Sequence, residues 1–254
     1  MLLVIDLGNT NLTLGLYQGR NLGPHWRLAT EHARMADEYG IQMLTLLQIS
    51  GIQLTALDGI CLSSVVPPLT VHIKEACIQY LHKDVLIIST ALKTNITILY
   101  DDPKEVGADR IADAVAVQKK FGGPACIIDF GTATTFNALT EKGEYLGGAI
   151  MPGIGIAADA LVQRTAKLLP VELKAPPSVI GRNTVHSMQA GLIFGYVSLV
   201  EGMVHRYREE LGENMKVIGT GGLVHTITQY TESIKIVEPW LTLEGLRILW
   251  ELNQ

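Results

Sequence analysis

Hydrophobic and polar positions change period several times along the chain. Leu2-Leu3-Val4-Ile5 is an apolar run ending on Asp6 and a Gly-Asn turn, which predicts a short strand. Leu12, Leu14 and Leu16 place one face of a second strand inward, Gln18 to Asn21 predicts a hairpin turn, and Trp26 to Leu28 a third strand. The period then lengthens: Tyr39, Met43, Leu46 and Leu47 predict a helix stopping at Gly51. Gly59 to Val66 predicts a buried strand, Pro67-Pro68 opens a helix, and Val85 to Ile88 is a further strand.

The same syntax then restarts. Residues 125–132, ACIIDFGT, resemble residues 2–9, LLVIDLGN, at an offset of 123 (129 − 6). Thr135 to Leu139, a turn at Glu141 to Glu144 and Tyr145 to Ile150 predict a second hairpin. Helices are expected over Val106 to Phe121, Pro152 to Lys167, Thr184 to Leu211 and Thr242 to Leu252. Lys216 to Ile218 and Ile234 to Val237 predict strands, the first leading into the turn Gly219-Thr220-Gly221-Gly222. A repeat this long is no solenoid. It predicts two similar α/β domains facing each other, spanning residues 1–114 and 115–254, with a helix rather than a loose linker at the boundary.

Composition narrows the class. Hydrophobic residues are 48% of the 254 and charged ones 18%, so a sizeable core can form. The net charge of −5 argues against nucleic acid as a partner, because phosphate neutralisation needs a basic field. No long uncharged apolar run predicts a membrane span, and the first residues lack the basic start of a signal peptide. Three scattered cysteines and seven histidines show no ligand spacing, which predicts buried thiols in a reducing cytoplasm and no histidine metal site.

Chemistry concentrates at the repeated turns. A strand ending in Asp-x-Gly lets phosphate reach backbone N–H groups, with hydroxyl and amide side chains adding neutral donors. Asp6 and Asp129 are placed to hold a hydrated cation. Taken singly each carboxylate could merely start a turn, but duplication of the whole pattern favours ligand binding. The 219–222 turn could let a flat adenosine group lie on the backbone or could simply enter a helix. Ser63 and Ser64 lie on a strand without any nucleophile signature.

These motifs, with Gly107-Ala108-Asp109-Arg110, residues 147–153 (GGAIMPG) and residues 239–246 (PWLTLEGL), resemble the type III pantothenate kinases. The resemblance covers essentially the whole chain. It implies two ribonuclease H-like domains of the acetate and sugar kinase/Hsp70/actin fold, and phosphorylation of pantothenate by ATP. It further implies that Asp6, Leu7, Gly8, Asn9, Thr10, Asn11, Leu12, Thr13 and Thr132 bind ATP. Tyr100, Gly107, Ala108, Asp109, Arg110 and Thr184 are implied as pantothenate ligands, with Asp109 as proton acceptor. Asp129 is the implied site of a monovalent cation, K⁺ or NH₄⁺, beside the Mg²⁺ that accompanies ATP, and the implied assembly is a cytoplasmic homodimer.

The residues suit those roles. Arg110 can pair with an anion and Tyr100 can hydrogen-bond, and Arg110 next to Asp109 is expected to keep that carboxyl ionised. Thr184 could equally cap a helix. Asp102 and Asn137 depart from the family pattern, which more often has Asn and Asp there; Asn137 bears on cation binding. Two other readings compete: an ATP-binding regulatory protein that keeps the fold, and a kinase of the same fold acting on a sugar or short acid.

Overall fold

The computed structural model describes residues 1–254, which separate into two compact units. One comprises residues 1–95, 101–116 and 242–254; the other comprises residues 96–100 and 117–241.

The first unit is built on a five-stranded sheet in the order β3-β2-β1-β4-β5. Its strands are β1 (Leu2–Leu7), β2 (Asn11–Gln18), β3 (Asn21–Ala29), β4 (Gly59–Ser64) and β5 (Val85–Ile87). β1 runs antiparallel to β2 and parallel to β4. Alternation sorts the side chains: Leu3, Ile5 and Leu7 join Leu12, Leu14, Ile60 and Leu62 in one core cluster, with the opposite parity of β1 carrying Val4 and Asp6. Helices α1 (Ala36–Ile49) and α2 (Pro67–Leu81) close that core through Tyr39, Met43, Leu69 and Ile73. Pro67 and Pro68 occupy the first helical positions of α2, where no N–H is required.

α3 (Ala108–Lys120) and α7 (Leu241–Leu252) contact each other closely in this unit. A Cβ on Gly245 would stand 2.0 Å from the Ala112 carbonyl oxygen, and the Thr242 hydroxyl donates to buried Asp113 at 2.8 Å. α7 also lies on the sheet: added Cβ atoms at Gly15 and Gly59 would meet Leu243 and Trp250.

The second unit carries a six-stranded sheet in the order β11-β10-β7-β8-β9-β6. Its strands are β6 (Thr97–Ile98), β7 (Ala125–Phe130), β8 (Ala133–Leu139), β9 (Glu144–Pro152), β10 (Lys216–Thr220) and β11 (Ile236–Val237). Cys126, Ile128 and Phe130 pack with the buried side of α5 (Thr184–Leu211), while α4 (Ile154–Arg164) and α6 (Val224–Thr228) complete the core. α5 is long and apolar enough by length and composition to cross a membrane, but half of that window is buried inside the protein. It is a core helix with one outward side.

The periodic elements form where the sequence expects them, α5 between the same end residues. The short β6 and α6 were not foreseen, and the helix expected from Pro152 to Lys167 contracts to Ile154–Arg164.

Candidate active site

In the first unit Gly8-Asn9-Thr10 joins β1 to β2. The Gly8 N–H donates to the Asn11 carbonyl at 3.0 Å, and Thr30 braces the loop through its hydroxyl to Gly8 O at 2.7 Å. A Cβ on Gly8 would sit 3.2 Å from the Asn11 carbonyl, so the backbone is bare where a ligand could approach. Asn9, Thr10 and Asn11 are exposed and Asp6 is part-buried. Leu7 and Leu12 differ: their side chains are in the core, which leaves only their backbone groups to meet a ligand.

In the second unit Gly131-Thr132 joins β7 to β8, a loop one residue shorter. Gly131 N–H closes it onto Ala133 O at 3.1 Å, and Thr132 is exposed at the tip. Two glycines press against this loop. Gly153, at the start of α4, donates to Thr132 O at 3.0 Å, and its missing Cβ would overlap the Gly131 and Thr132 carbonyls. Gly221 has φ +91°, and a Cβ there would lie 2.2 Å from Asp129 Oδ1. The 219–222 turn is therefore packed on the Asp129 carboxylate, and not merely a helix entry.

Register gives both carboxylates the same neighbours. Asp6 pairs with Thr13 and Ser63, and Asp129 pairs with Thr135 and Thr220. The donor set is one carboxylate with hydroxyls, and no group of three His, Cys, Asp or Glu side chains forms anywhere. Such oxygen donors fit a monovalent cation, or a divalent one that keeps its waters and leans on phosphate. They do not fit a metal needing thiolate or imidazole.

Asp109 sits in the first turn of α3, where its Oδ1 accepts the Arg110 N–H at 2.7 Å. Gly107 makes this possible, because a Cβ would lie 2.4 Å from that oxygen. The Asp6 loop is close along the chain of contacts: Val65 N–H donates to Leu7 O at 3.1 Å, and Val65 lies 3.6 Å from the Gly107 Cβ position. Burial pushes the Asp109 carboxyl above its ordinary value, against the Arg110 N–H bond and the Arg110 charge, which pull it down. Desolvation is thus the largest influence on this carboxyl and opposes the pull of Arg110 towards ionisation. Arg110 itself is buried.

Of the remaining residues, Tyr100, Asn137 and Thr184 lie in the second unit and Asp102 in the first. The Tyr100 ring edge fills the space a Cβ at Gly147 (φ +113°) would take. Thr184 is exposed as the first residue of α5, but Asn183 is the cap, its Oδ1 accepting the His186 N–H at 2.9 Å. Asp102 caps the short turn Pro103–Glu105 through Lys104 N–H at 3.0 Å. Asn137 is fully buried: it accepts from Tyr145 Oη at 2.9 Å and donates to Thr135 Oγ1 at 3.1 Å. Its amide therefore reaches the threonine beside Asp129, a link invisible in the one-dimensional pattern.

Comparison with known proteins adds the family context. The sequence profile of the type III pantothenate kinases matches residues 2–206. A type III pantothenate kinase from Roseiflexus sp. (strain RS-1) is 50% identical over 254 residues, covering all of both chains. Among solved structures, a Campylobacter jejuni protein assigned to the Baf family of transcriptional activators superposes with a TM-score of 0.61 at 20% identity, covering 98% of this chain and 97% of that one. An inorganic polyphosphate/ATP-glucomannokinase from Arthrobacter sp. strain KM gives a TM-score of 0.50 at 13% identity, covering 97% and 96%. The fold is that of the acetate and sugar kinases, Hsp70 and actin, with an α/β unit repeated.

Proposed function

The chain belongs to the type III pantothenate kinase family, and we propose that it carries out pantothenate phosphorylation through the two Asp-x-Gly loops and the start of α3. ATP supplies the phosphoryl group, the primary hydroxyl of pantothenate accepts it, and 4′-phosphopantothenate opens the route to coenzyme A. The observation that carries the assignment of the site is the shared register, which gives each loop carboxylate a threonine partner beside a glycine turn.

In this reading Asp6, the loop through Thr13 and Thr132 cradle the phosphates with backbone N–H groups and hydroxyls. Asp6 is the carboxylate that would hold Mg²⁺ brought in with ATP, and that ion would supply neutralisation of the phosphate charge. Asp129, between Thr135 and Thr220, is the monovalent-cation position, suited to K⁺ or NH₄⁺. Tyr100, Gly107 to Arg110 and Thr184 receive pantothenate, with Arg110 pairing its carboxylate. Asp109 accepts the hydroxyl proton. A carboxyl raised by burial is the better base near neutral pH, since proton transfer is most efficient when the pKa approaches the working pH. Phosphoryl transfer through a loose transition state leaves positioning and charge as the main catalytic contributions.

The same reading takes the protein as a cytoplasmic homodimer that needs neither nucleic acid nor membrane. Support for association between copies comes from the outward side of the second unit. Leu169, Val179, Ile180 and Val185 are exposed there, and Gly191, Gly195 and Gly202 leave a smooth stripe along α5. A recess of about 410 Å³ lined by Val179, Ala190 and Phe194 adjoins it. The buried cysteines suit a reducing compartment.

A single-turnover assay with pantothenate, Mg-ATP and K⁺ tests the function: 4′-phosphopantothenate is expected, and folded protein giving none with either K⁺ or NH₄⁺ refutes it. Omitting both cations isolates the Asp129 assignment, and sedimentation equilibrium reads the dimer.

A further inference from the structure

One polar atom near the first loop is left over by the fold. Ser63 is the last residue but one of β4; it is 0% exposed, and its Oγ has no hydrogen-bond partner. The next residue shows the contrast: Ser64 Oγ meets Thr70 Oγ1 at 2.6 Å and accepts the Val66 N–H at 3.2 Å. Ser63 is the register partner of Asp6 on the parallel strand, so the two side chains leave the same face of the sheet as neighbours. Two residues earlier on that face stands Cys61, an equally buried side chain that serves there as a small apolar one. A hydroxyl at 63 therefore costs folding free energy that an alanine or cysteine would not.

The second unit repeats the placement. Thr220 on β10 flanks Asp129 as Ser63 flanks Asp6, and each carboxylate thus has a hydroxyl on both neighbouring strands. Recurrence in two units of different sequence ties the hydroxyl to the carboxylate and not to local packing.

We propose that Ser63 is a nucleotide-binding residue, whose hydroxyl completes its hydrogen bonding with the hydrated cation and phosphate group of Mg-ATP beside Asp6. This rests on the reading of the Asp6 loop as a phosphate loop. An unpaired buried donor is worth retaining only if a bound ligand pairs it, and the ligand position next to a carboxylate is one where a hydroxyl can serve a water or a phosphate oxygen equally.

Ser63→Ala separates this from a structural role because the two predict opposite signs. In the ligand-free protein the variant is expected to melt at the same temperature as the parent or higher, since a desolvated hydroxyl is removed. Its Kd for Mg-ATP, measured by calorimetry without pantothenate, is expected to weaken about tenfold, the worth of one hydrogen bond to a charged group. Ser63→Cys, nearly the same size, is expected to follow it in both measurements. A lower melting temperature in both variants, or a Kd equal to the parent's, overturns the proposal. So does a parent protein that binds no Mg-ATP. A parent that binds Mg-ATP but leaves pantothenate untouched would instead overturn the assigned substrate and leave the Ser63 result standing.

Discussion

The two units solve the same local problem with different tolerances. In the first, the loop between β1 and β2 has three residues and is braced by Thr30, the residue just after β3. In the second, the loop between β7 and β8 has two and is pressed by glycines of α4 and of the 219–222 turn. Register shows where the repeat slips: Thr13 pairs with Asp6 but Thr135 with Asp129, an offset of 122 against the 123 of the strands themselves. Two positions further along, Gly15 lies opposite Val4 under Leu243, whereas Asn137 lies opposite Ile127 in a hydrogen-bonded group with Tyr145. Both copies keep the apolar strand, the carboxylate, the glycine after it and the hydroxyl neighbours, whereas loop length and the residues further along the second strand differ.

The sharpest asymmetry is Asp109, an acid beside the first loop. Asp109→Asn is expected to lower kcat by about 10²–10⁴-fold in a steady-state kinase assay. Its effect on stability runs the other way. Because the folded carboxyl titrates above its unfolded value of 3.8, its contribution is full below that pH and is lost as pH rises through the folded value. The Asn variant should therefore melt higher at pH 7 and converge with the parent in acid. Next come the glycines. Gly221→Ala combines a positive φ with a Cβ 2.2 Å from Asp129 Oδ1 and is expected to cost about 1–3 kcal/mol in urea denaturation. Gly8→Ala meets only one carbonyl at 3.2 Å and should cost about 0.5 kcal/mol; equal losses would erase the claimed difference between the loops.

Asn137→Ala removes the acceptor of the buried Tyr145 hydroxyl's 2.9 Å hydrogen bond and is expected to cost about 1–3 kcal/mol, with a smaller further loss for Tyr145→Phe in the Ala background than in the parent. The smallest effect is alkaline. Burial pushes the Cys61 and Cys77 thiols up to about 12 from 9.0, so they stay neutral in the folded chain while the unfolded chain ionises. Stability held below pH 9 is thus lost as pH rises towards about 12. The Cys61→Ala/Cys77→Ala variant should show a shallower decline than the parent, read from urea midpoints across that range.

Much of this was legible along the chain. Short continuous apolar runs ending in Asp-x-Gly marked β1 and β7, and the helical period marked α5 between Thr184 and Leu211. The motif around Asp109 was readable because its residues are consecutive. What escaped was short or non-local. β6 has two residues, held by parallel pairing to β9, and α6 has five; neither length carries a period. The cap of α5 is Asn183 and not Thr184, a choice between adjacent polar residues that only the backbone at position 183 makes. Nothing in the spacing of Asn137 and Tyr145, or of Asp6 and Ser63, announces that each pair meets.

By itself the sequence determined the repeated strand-turn-strand units, their glycine turns and the family, because these depend on neighbours and on short periods. Tertiary structure alone decided that Gly221 abuts Asp129, that Ser63 and Thr220 flank the two carboxylates, and that burial outweighs Arg110 at Asp109. Register joins residues far apart in the chain, and desolvation depends on everything packed around a group, so neither can be read from a string of residues.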